Sequence, residues 1–363
     1  MLKNPELNQI SEPVITSLDQ VNAEWLNQIL NNNGVLGNSE ITNFSVEHSG
    51  STNAHIAQLR IEYNAVDESL PRKLLLKMCK NENDFVKDSE VNYYSRDYFN
   101  LENSPIPKCY DAQFSKDTGA YHILMEDLSE THHKDVEPTL EYGKAVADAL
   151  AILHSYGWGD KMQFLGQEML NETKVEQYIN HALPGLEPML SATGGKLDNT
   201  SKDIIRDIFD RFPKKMMERI QDPQGFTVVH GDTNPGNILY PNSGLDQTYL
   251  LDRQPFNWSL TTNLGVSDLS YMMVPYWDSH QRQKLEMPIL KQYHHQLLQH
   301  GILNYSWEQL WDDYKLSAMQ GVCIAADWCV KEDELEEMRW LWTLELQRTL
   351  QTYFDLDVAK LLE

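Results

Sequence analysis

The spacing of hydrophobic residues changes character along the first third of the chain. After a polar arm, apolar residues at helical spacing predict a helix over 21–30, with Ser17 or Asp19 as its cap. From Ile41 the pattern alternates between apolar and polar, as in half-exposed antiparallel strands. The alternation predicts strands over 41–46, 56–63, 73–78, 108–111 and 121–126. Between the third and fourth of these strands, a helix is predicted over 89–94.

Helical spacing dominates the chain beyond Glu126. A helix is predicted over 140–154, and the exceptions are two strand-like runs, 226–230 and 248–252, which flank a turn and are expected to be partner strands. We therefore expect an α+β fold with a small antiparallel-sheet N-lobe and a larger, mainly helical C-lobe. The predicted divisions are an N-terminal arm and helix (1–40), an N-lobe (41–128) and a C-lobe (129–363).

The net charge of the chain argues against two classes of binding partner, nucleic acids and anionic membranes. Its 363 residues include 30 Lys and Arg and 54 Asp and Glu, so the formal net charge is −24. A nucleic-acid backbone or an anionic membrane surface needs a basic patch, and none is visible. No apolar run approaches the ~20 residues of a membrane span, and the N-terminus lacks the apolar stretch of a secretory signal. We expect a soluble, cytoplasmic protein that binds neither nucleic acid nor membrane.

The cysteines give no sign of a metal site. Cys323 and Cys329 lie in a helical, Trp-rich stretch, where buried free thiols are the ordinary interpretation and a disulfide is the less common one. No Cys or His spacing typical of zinc occurs among the four cysteines.

The strongest chemical signal is the segment His230-Gly-Asp-Thr-Asn-Pro-Gly-Asn237, which lies between the two C-lobe strand predictions. Phosphoryl transfer needs a carboxylate at the acceptor hydroxyl, oxygen ligands for Mg²⁺ and a cation on the phosphates. Asp232 is the candidate carboxylate. Asn237, five residues on, and Asp252, at the end of the next strand, are candidate Mg²⁺ ligands. His230 is expected to be structural.

This spacing, followed by Asp252, resembles the catalytic core of the aminoglycoside phosphotransferase and choline kinase-like family of small-molecule kinases. Within the same resemblance, Lys77 corresponds to the lysine that holds the α- and β-phosphates of ATP. Glu90 corresponds to the helix glutamate that pairs with this lysine. The short phosphate loop would contribute Gly50, Ser51 and Asn53.

Further elements of the resemblance follow in the expected order. The segment from Leu124 to Leu128 resembles the hinge whose backbone reads adenine, which makes Glu126 and Leu128 nucleotide-binding candidates. Asp268 resembles the aspartate that braces the catalytic loop. The residues after Asp252 depart from many relatives, and Gln254 is similar to the ecdysteroid-kinase-like branch. The resemblance implies a protein kinase-like, two-lobed fold.

The function implied by the resemblance is transfer of the γ-phosphoryl of ATP, with Mg²⁺, to a hydroxyl of a small molecule. The acidic chain and its aromatic C-lobe favour a cationic amino sugar or amino alcohol. Trp277 beside Asp278 and Trp328 beside Asp327 are the first candidates for such a pocket. The alternative is a catalytically inert kinase-like protein that binds a nucleotide or another ligand.

Two features have ordinary structural interpretations. The acidic run over 332–337 is typical of a solvated helix start, because carboxylates favour the helix N-terminus. Most of the C-lobe tryptophans are expected in the core, since they recur at helical spacing.

Overall fold

The computed structural model describes residues 14–49, 54–79, 88–243, 247–254, 256 and 259–363. The described residues form two compact units. The first lies within Met1–Asn100, Ile106–Glu130 and Pro255–Asn257, and we call it the N-lobe. The second, called the C-lobe, lies within Leu101–Pro105, Thr131–Gln254 and Trp258–Glu363.

The N-lobe contains a five-stranded antiparallel sheet with the strand order β1-β2-β3-β5-β4. All five strands predicted from the alternating pattern are present. In the register of the sheet, Lys77 on β3 lies between Ile56 of β2 and Ile123 of β5. The strands are β1 Ile41–Ser49, β2 His55–Tyr63, β3 Lys73–Cys79, β4 Cys109–Phe114 and β5 Tyr121–Glu126.

The first helix, α1 Ala23–Asn32, packs its apolar face on this sheet. Leu26 and Leu30 are fully buried in the same core cluster as strand residues such as Leu59. The cap prediction was wrong. The Asn22 side chain accepts from Trp25 N, whereas Ser17 caps a separate 3₁₀ turn at Leu18–Gln20. An Asx cap directly before the first helical residue satisfies the exposed amides better than a residue five positions further upstream.

The helix predicted over 89–94 begins at the expected place but changes its winding. It consists of α2 Ser89–Asn92 followed by a π-helical turn, Tyr93–Asp97. The wider turn accommodates a cluster of aromatic rings, since Tyr93 makes edge contacts with both Tyr94 and Tyr98.

Helices make up most of the C-lobe. The long predicted helix is α3 Leu140–Tyr156, and its buried face includes Val146, Leu150 and Leu153. The further helices are α4 Glu172–Ala182, α5 Leu186–Ala192, α6 Asn199–Arg219, α7 Val266–Met273, α8 Ser279–Gln299, α9 Trp307–Ala318, α10 Gln320–Asp327, α11 Glu332–Glu337, α12 Arg339–Asp355 and α13 Ala359–Leu362.

The strands of the C-lobe pair differently from the sequence prediction. The two strand-like runs are β7 Phe226–Val228 and β9 Tyr249–Leu250, but they are not partners. β7 pairs with β10 Thr262–Leu264, while β9 pairs with β8 Ile238–Pro241, which also pairs with β6 His132–His133. The reason is that residues 238–241, interpreted as part of the turn, have their own apolar side chains to bury and form a strand.

The remaining structural expectations have clear outcomes. Helix α11 contains the acidic run and buries none of its residues. Trp277 and Trp342 are core residues, but Trp340 is 68% exposed, and Trp258 lies outside the described residues.

All four cysteines are free thiols, and Cys323 and Cys329 are buried. Within the described part of the chain, no helix combines the length and apolarity needed to cross a bilayer.

Candidate active site

The segment after β7 folds into a tight loop that is set by its own side chains. Gly231 adopts φ of +79°, a left-handed conformation that glycine tolerates best. The Asn234 side-chain oxygen accepts from Gly236 N at 2.9 Å, and Asn237 N donates to the Asn234 carbonyl at 2.9 Å. Pro235 starts the short 3₁₀ turn Pro235–Asn237. This turn brings Asn237 back toward the beginning of the loop.

The turn places two amides on the carboxylate of Asp232. Asn234 Nδ2 donates to Asp232 Oδ1 at 2.7 Å, and Asn237 Nδ2 donates to Oδ2 at 3.0 Å. Burial, reinforced by the negative charge of the nearby Asp252, raises the pKa of Asp232 to about 6. The hydrogen bond from Asn234 acts in the opposite direction and lowers this pKa. The carboxylate is therefore fixed in orientation and more basic than an ordinary aspartate.

A second aspartate braces the loop from helix α7. The two carboxylate oxygens of Asp268 accept from His230 N at 2.7 Å and from Gly231 N at 2.8 Å. The Thr233 hydroxyl donates to the Asp268 carbonyl at 2.6 Å. The His154 ring and the backbone amides hold the pKa of Asp268 below its ordinary value, despite complete burial. An ionised Asp268 thus ties the first half of the loop, residues 230–233, to helix α7.

Asp268 is itself held by a buried network. His154 Nε2 lies 3.0 Å from Asp268 Oδ2, and His154 Nδ1 lies 2.7 Å from the Tyr293 hydroxyl. The Thr227 hydroxyl donates to the His154 carbonyl at 2.8 Å. All of these groups are buried, so the bonds operate away from solvent and lock the loop position.

Asp252 and Asn237 meet at one end of the β8–β9 ribbon. Ile238 pairs with Leu250, and beyond this pair Leu251 N donates to the Asn237 carbonyl at 2.8 Å. The two candidate Mg²⁺ ligands therefore lie at this last backbone hydrogen bond of the ribbon. Asp252 adopts φ of +58°, which is uncommon outside glycine. Such a conformation, held at the end of a strand, turns the chain sharply at the candidate site.

The donors at this end of the ribbon fit Mg²⁺. Asn237 uses its amide nitrogen on Asp232, which leaves the amide oxygen for another partner. One carboxylate and one amide oxygen match the few protein ligands that Mg²⁺ takes in phosphate-binding sites. Within the described residues, no group of three or more His, Cys, Asp or Glu forms a ready-made cation cage. Any Mg²⁺ here would depend on phosphate and water for the rest of its coordination.

In the N-lobe, the structure brings together the predicted lysine and glutamate. Lys77 Nζ lies 2.6 Å from Glu90 Oε1, and the Tyr121 hydroxyl donates to Glu90 Oε2 at 2.5 Å. Glu90 is 2% exposed. The carboxylate thus has a fixed rotamer, and it holds the Lys77 ammonium in a defined position on β3.

The other nucleotide-binding candidates fall into two groups. Glu126 is the last residue of β5, where its amide donates to the Lys108 carbonyl at 2.9 Å, and Leu128 follows two residues later. Gly50, Ser51 and Asn53 lie outside the described residues.

Sequence reasoning missed several residues that support these groups. Tyr121 was seen only as a strand residue, and Asn234 only as part of a turn. Tyr293 carried no signal of its own, because nothing in a long helix distinguishes a tyrosine that reaches His154 from other buried aromatics. The Asp–x–Asn spacing of Asp232 and Asn234 was the one available clue.

The sheet order, the braced loop and the Lys77–Glu90 pair define a protein kinase-like fold. Solved structures of this fold match most of the chain. The choline kinase from Cryptosporidium parvum Iowa II is 12% identical over 93% of this chain and 98% of its own, with a TM-score of 0.55. A spectinomycin phosphotransferase crystallised with ADP and spectinomycin is 14% identical over 93% and 99%, with a TM-score of 0.53. A microcompartment-associated aminopropanol kinase is 11% identical over 93% and 98%, with a TM-score of 0.53.

The chain belongs to the ecdysteroid kinase-like family, whose model matches residues 76–304. No curated protein sequence matches the chain significantly. The resemblance to small-molecule kinases is therefore confirmed, as is the fold with a sheet-containing N-lobe and a helical C-lobe.

Proposed function

We propose that this protein transfers the γ-phosphoryl group of ATP to a hydroxyl of a small molecule. The observation that carries the proposal is the Asp232 carboxylate, which two amides orient and whose loop Asp268 fixes. A turn aspartate without a chemical role needs neither this double support nor an elevated pKa. A general base that orients an acceptor hydroxyl needs both.

In the proposed reaction, Asp232 accepts a hydrogen bond from the acceptor hydroxyl and takes its proton as the bond to phosphorus forms. A new bond joins the acceptor oxygen to the γ-phosphorus, and the bond from that phosphorus to the β–γ bridging oxygen breaks. ADP leaves with that oxygen, and the proton on Asp232 passes to solvent. Most of the acceleration comes from positioning and electrostatics rather than from covalent chemistry by the protein.

Asn237 and Asp252 are the residues that would hold Mg²⁺. When bound, the ion neutralises charge on the nucleotide phosphates. Lys77, positioned by Glu90, would contact the α- and β-phosphates of ATP. The backbone at Glu126 and Leu128 would receive the adenine, and Gly50, Ser51 and Asn53 would cover the phosphates.

The acceptor class we favour is a cationic amino sugar or amino alcohol. The net charge of −24 supports it through encounter with cations, although charge alone does not define a pocket. The names of three fold relatives also point to small molecules, namely choline, spectinomycin and aminopropanol.

The test is a coupled ADP-release assay with Mg·ATP and a panel of amino sugars, amino alcohols, hydroxy amino acids, neutral sugars and sterols. We expect acceptor-stimulated release that falls by about 100-fold or more in Asp232→Asn, which keeps the shape but loses the base. Asp203→Asn is the matched control, because this aspartate is 77% exposed on helix α6. Equal loss in both variants would contradict the role of Asp232.

The inert-scaffold alternative makes the opposite prediction. Such a protein would bind ATP without releasing ADP for any acceptor, and Asp232→Asn would change nothing but binding. Acceptor-dependent turnover that needs Asp232 eliminates this alternative.

A further inference from the structure

A cleft within the C-lobe contains an unusual combination of side chains. Its cavity volume is about 20 Å³, and helices α7, α9, α10 and α12 contribute its walls. This volume is enough for one water-sized group, such as the ammonium end of a ligand, rather than for a whole small molecule. Its polar lining includes Ser267, Ser270, Tyr271, Ser317 and Glu345.

Glu345 and Ser317 are buried polar side chains that line this cleft. Glu345 is 1% exposed and Ser317 is 4% exposed. Among the described residues, no protein group makes a hydrogen bond of normal geometry to either carboxylate oxygen of Glu345 or to the Ser317 hydroxyl, although the Trp328 indole is near enough to lower the pKa of Glu345. Buried carboxylates are normally paired, because an isolated charge in a low-dielectric site is costly. Two unsatisfied polar groups on one cleft indicate that a ligand completes them.

The cleft adjoins the proposed catalytic loop. Tyr271 lies one helical turn after Asp268 on α7, so the helix that braces the loop also lines the cleft. The Asp268 carbonyl accepts from the hydroxyl of Thr233, the residue after Asp232, and the Asp232 charge adds to the effect of burial in raising the pKa of Glu345, Tyr271 and Tyr276. A small acceptor with its polar end in the cleft can therefore extend toward Asp232.

Among the described residues, no Lys or Arg is one of the groups that shift the pKa of Glu345, and the guanidinium of Arg348, one helical turn on, donates to the Pro275 carbonyl. The titratable groups that act on it are the Asp232 carboxylate and, through their own shifts, Tyr271 and Tyr276. The Tyr271 and Tyr276 hydroxyls lie 3.0 Å apart, so one of them donates to the other. The Trp328 indole, also near the carboxylate, only partly offsets the effect of burial on its pKa. The site thus combines a carboxyl group with one aromatic lining residue, Tyr271, an environment that suits an organic cation.

We propose that this cleft binds the protonated amine of the acceptor, with Glu345 as its counter-ion and the Ser317 hydroxyl as an additional partner. The proposal rests on the proposed function and assigns its substrate class, a small alcohol that carries an amine. A neutral hydroxyl would satisfy one oxygen but would leave the carboxylate charge uncompensated. An ammonium group supplies both the charge and several donors.

The first test compares matched alcohols in the ADP-release assay. Ethanolamine is paired with propanol, which replaces the ammonium by a methyl group, and glucosamine is paired with glucose. We expect wild-type kcat/KM to favour the amine of each pair, and Glu345→Gln to reduce that preference by about 30-fold or more, mainly through KM for the amine. The control Glu337→Gln removes an exposed carboxylate of helix α11 and leaves the preference unchanged.

A binding measurement separates this proposal from the proposed function. Ethanolamine and glucosamine are titrated into wild type and Glu345→Gln without ATP, with calorimetry as the readout. Binding that needs Glu345, in a protein that releases no ADP with any acceptor, would support the cation site while the kinase proposal fails. Turnover of neutral alcohols with equal or higher efficiency, amine affinity that Glu345→Gln does not reduce, or no amine binding to wild type would each overturn the cation site.

Discussion

Replacing Glu345 by glutamine should stabilise the unliganded protein in a manner that depends on pH. Burial raises the pKa of this carboxyl to about 7 from its ordinary value of 4.5. As the pH rises, the carboxyl ionises first in the unfolded chain, so the folded state loses relative stability up to about pH 7. Above that value the loss is constant. Glutamine has no such penalty, because it does not ionise.

The size of the effect follows from the shift. A pKa difference between 4.5 and about 7 corresponds to about 3 kcal/mol of unfolding free energy at pH 8, and to less than about 1 kcal/mol at pH 5. The gain from Glu345→Gln over wild type should therefore grow by about 2 kcal/mol between pH 5 and pH 8. Any cost of burying the amide is the same at both values and cancels.

Urea unfolding, followed by tryptophan fluorescence and circular dichroism, measures this difference at several pH values. Glu337→Gln serves as the control, since its exposed side chain on α11 should give no pH-dependent gain. A gain that is flat across pH, or a variant that is increasingly destabilised as the pH rises, would refute the view that Glu345 is an uncompensated buried carboxyl. It would also remove the physical basis of the proposed cation site.

Three further changes test other parts of the structure. Asp268→Asn should lower kcat/KM by about 100-fold through displacement of the loop, and unfolding free energy by about 2 kcal/mol, measured by steady-state kinetics and denaturation. Glu90→Gln should raise KM for ATP by about 10-fold with little effect on acceptor binding, because Lys77 loses its ionic anchor. Gly185→Ala should destabilise the fold by about 1–3 kcal/mol, since a Cβ would lie 1.8 Å from a carbonyl oxygen at the end of α10. Gly195→Ala, with nothing within 4 Å, is its control and should leave the melting temperature unchanged or slightly higher.

The alternation of apolar and polar residues determined the N-lobe strands, since one face of an antiparallel sheet is buried and the other is not. Local pattern was insufficient at the ends of elements and for strand pairing. The residue that caps α1 is the one whose side chain lies beside the first free amides of the helix. That residue is Asn22, whereas Ser17 caps a separate turn. In the C-lobe, the pairing of β7 with β10 joins residues far apart in the chain.

In the candidate site, the motif residues were predictable from the sequence and the residues that support them were not. The order of Lys77, Asp232, Asn237 and Asp252 along the sequence was enough to predict the chemistry and the resemblance, because the motif residues in the C-lobe are close in the chain. Their supports were not predictable. Tyr121 contacts Glu90 only through the register of β5 against β3, and Tyr293 reaches His154 only through the packing of α8 against α3.

Sequence by itself determined which residues can bear the chemistry and which segments become strands or helices. Tertiary structure alone decided how deeply those residues are buried and which partners surround them. Glu345 looked like any glutamate of an amphipathic helix, and its functional interest arises from the burial that α7, α9 and α10 impose on it. Periodicity predicts which apolar residues are buried, but whether a single polar residue is buried, and with which partners, depends on packing between distant segments.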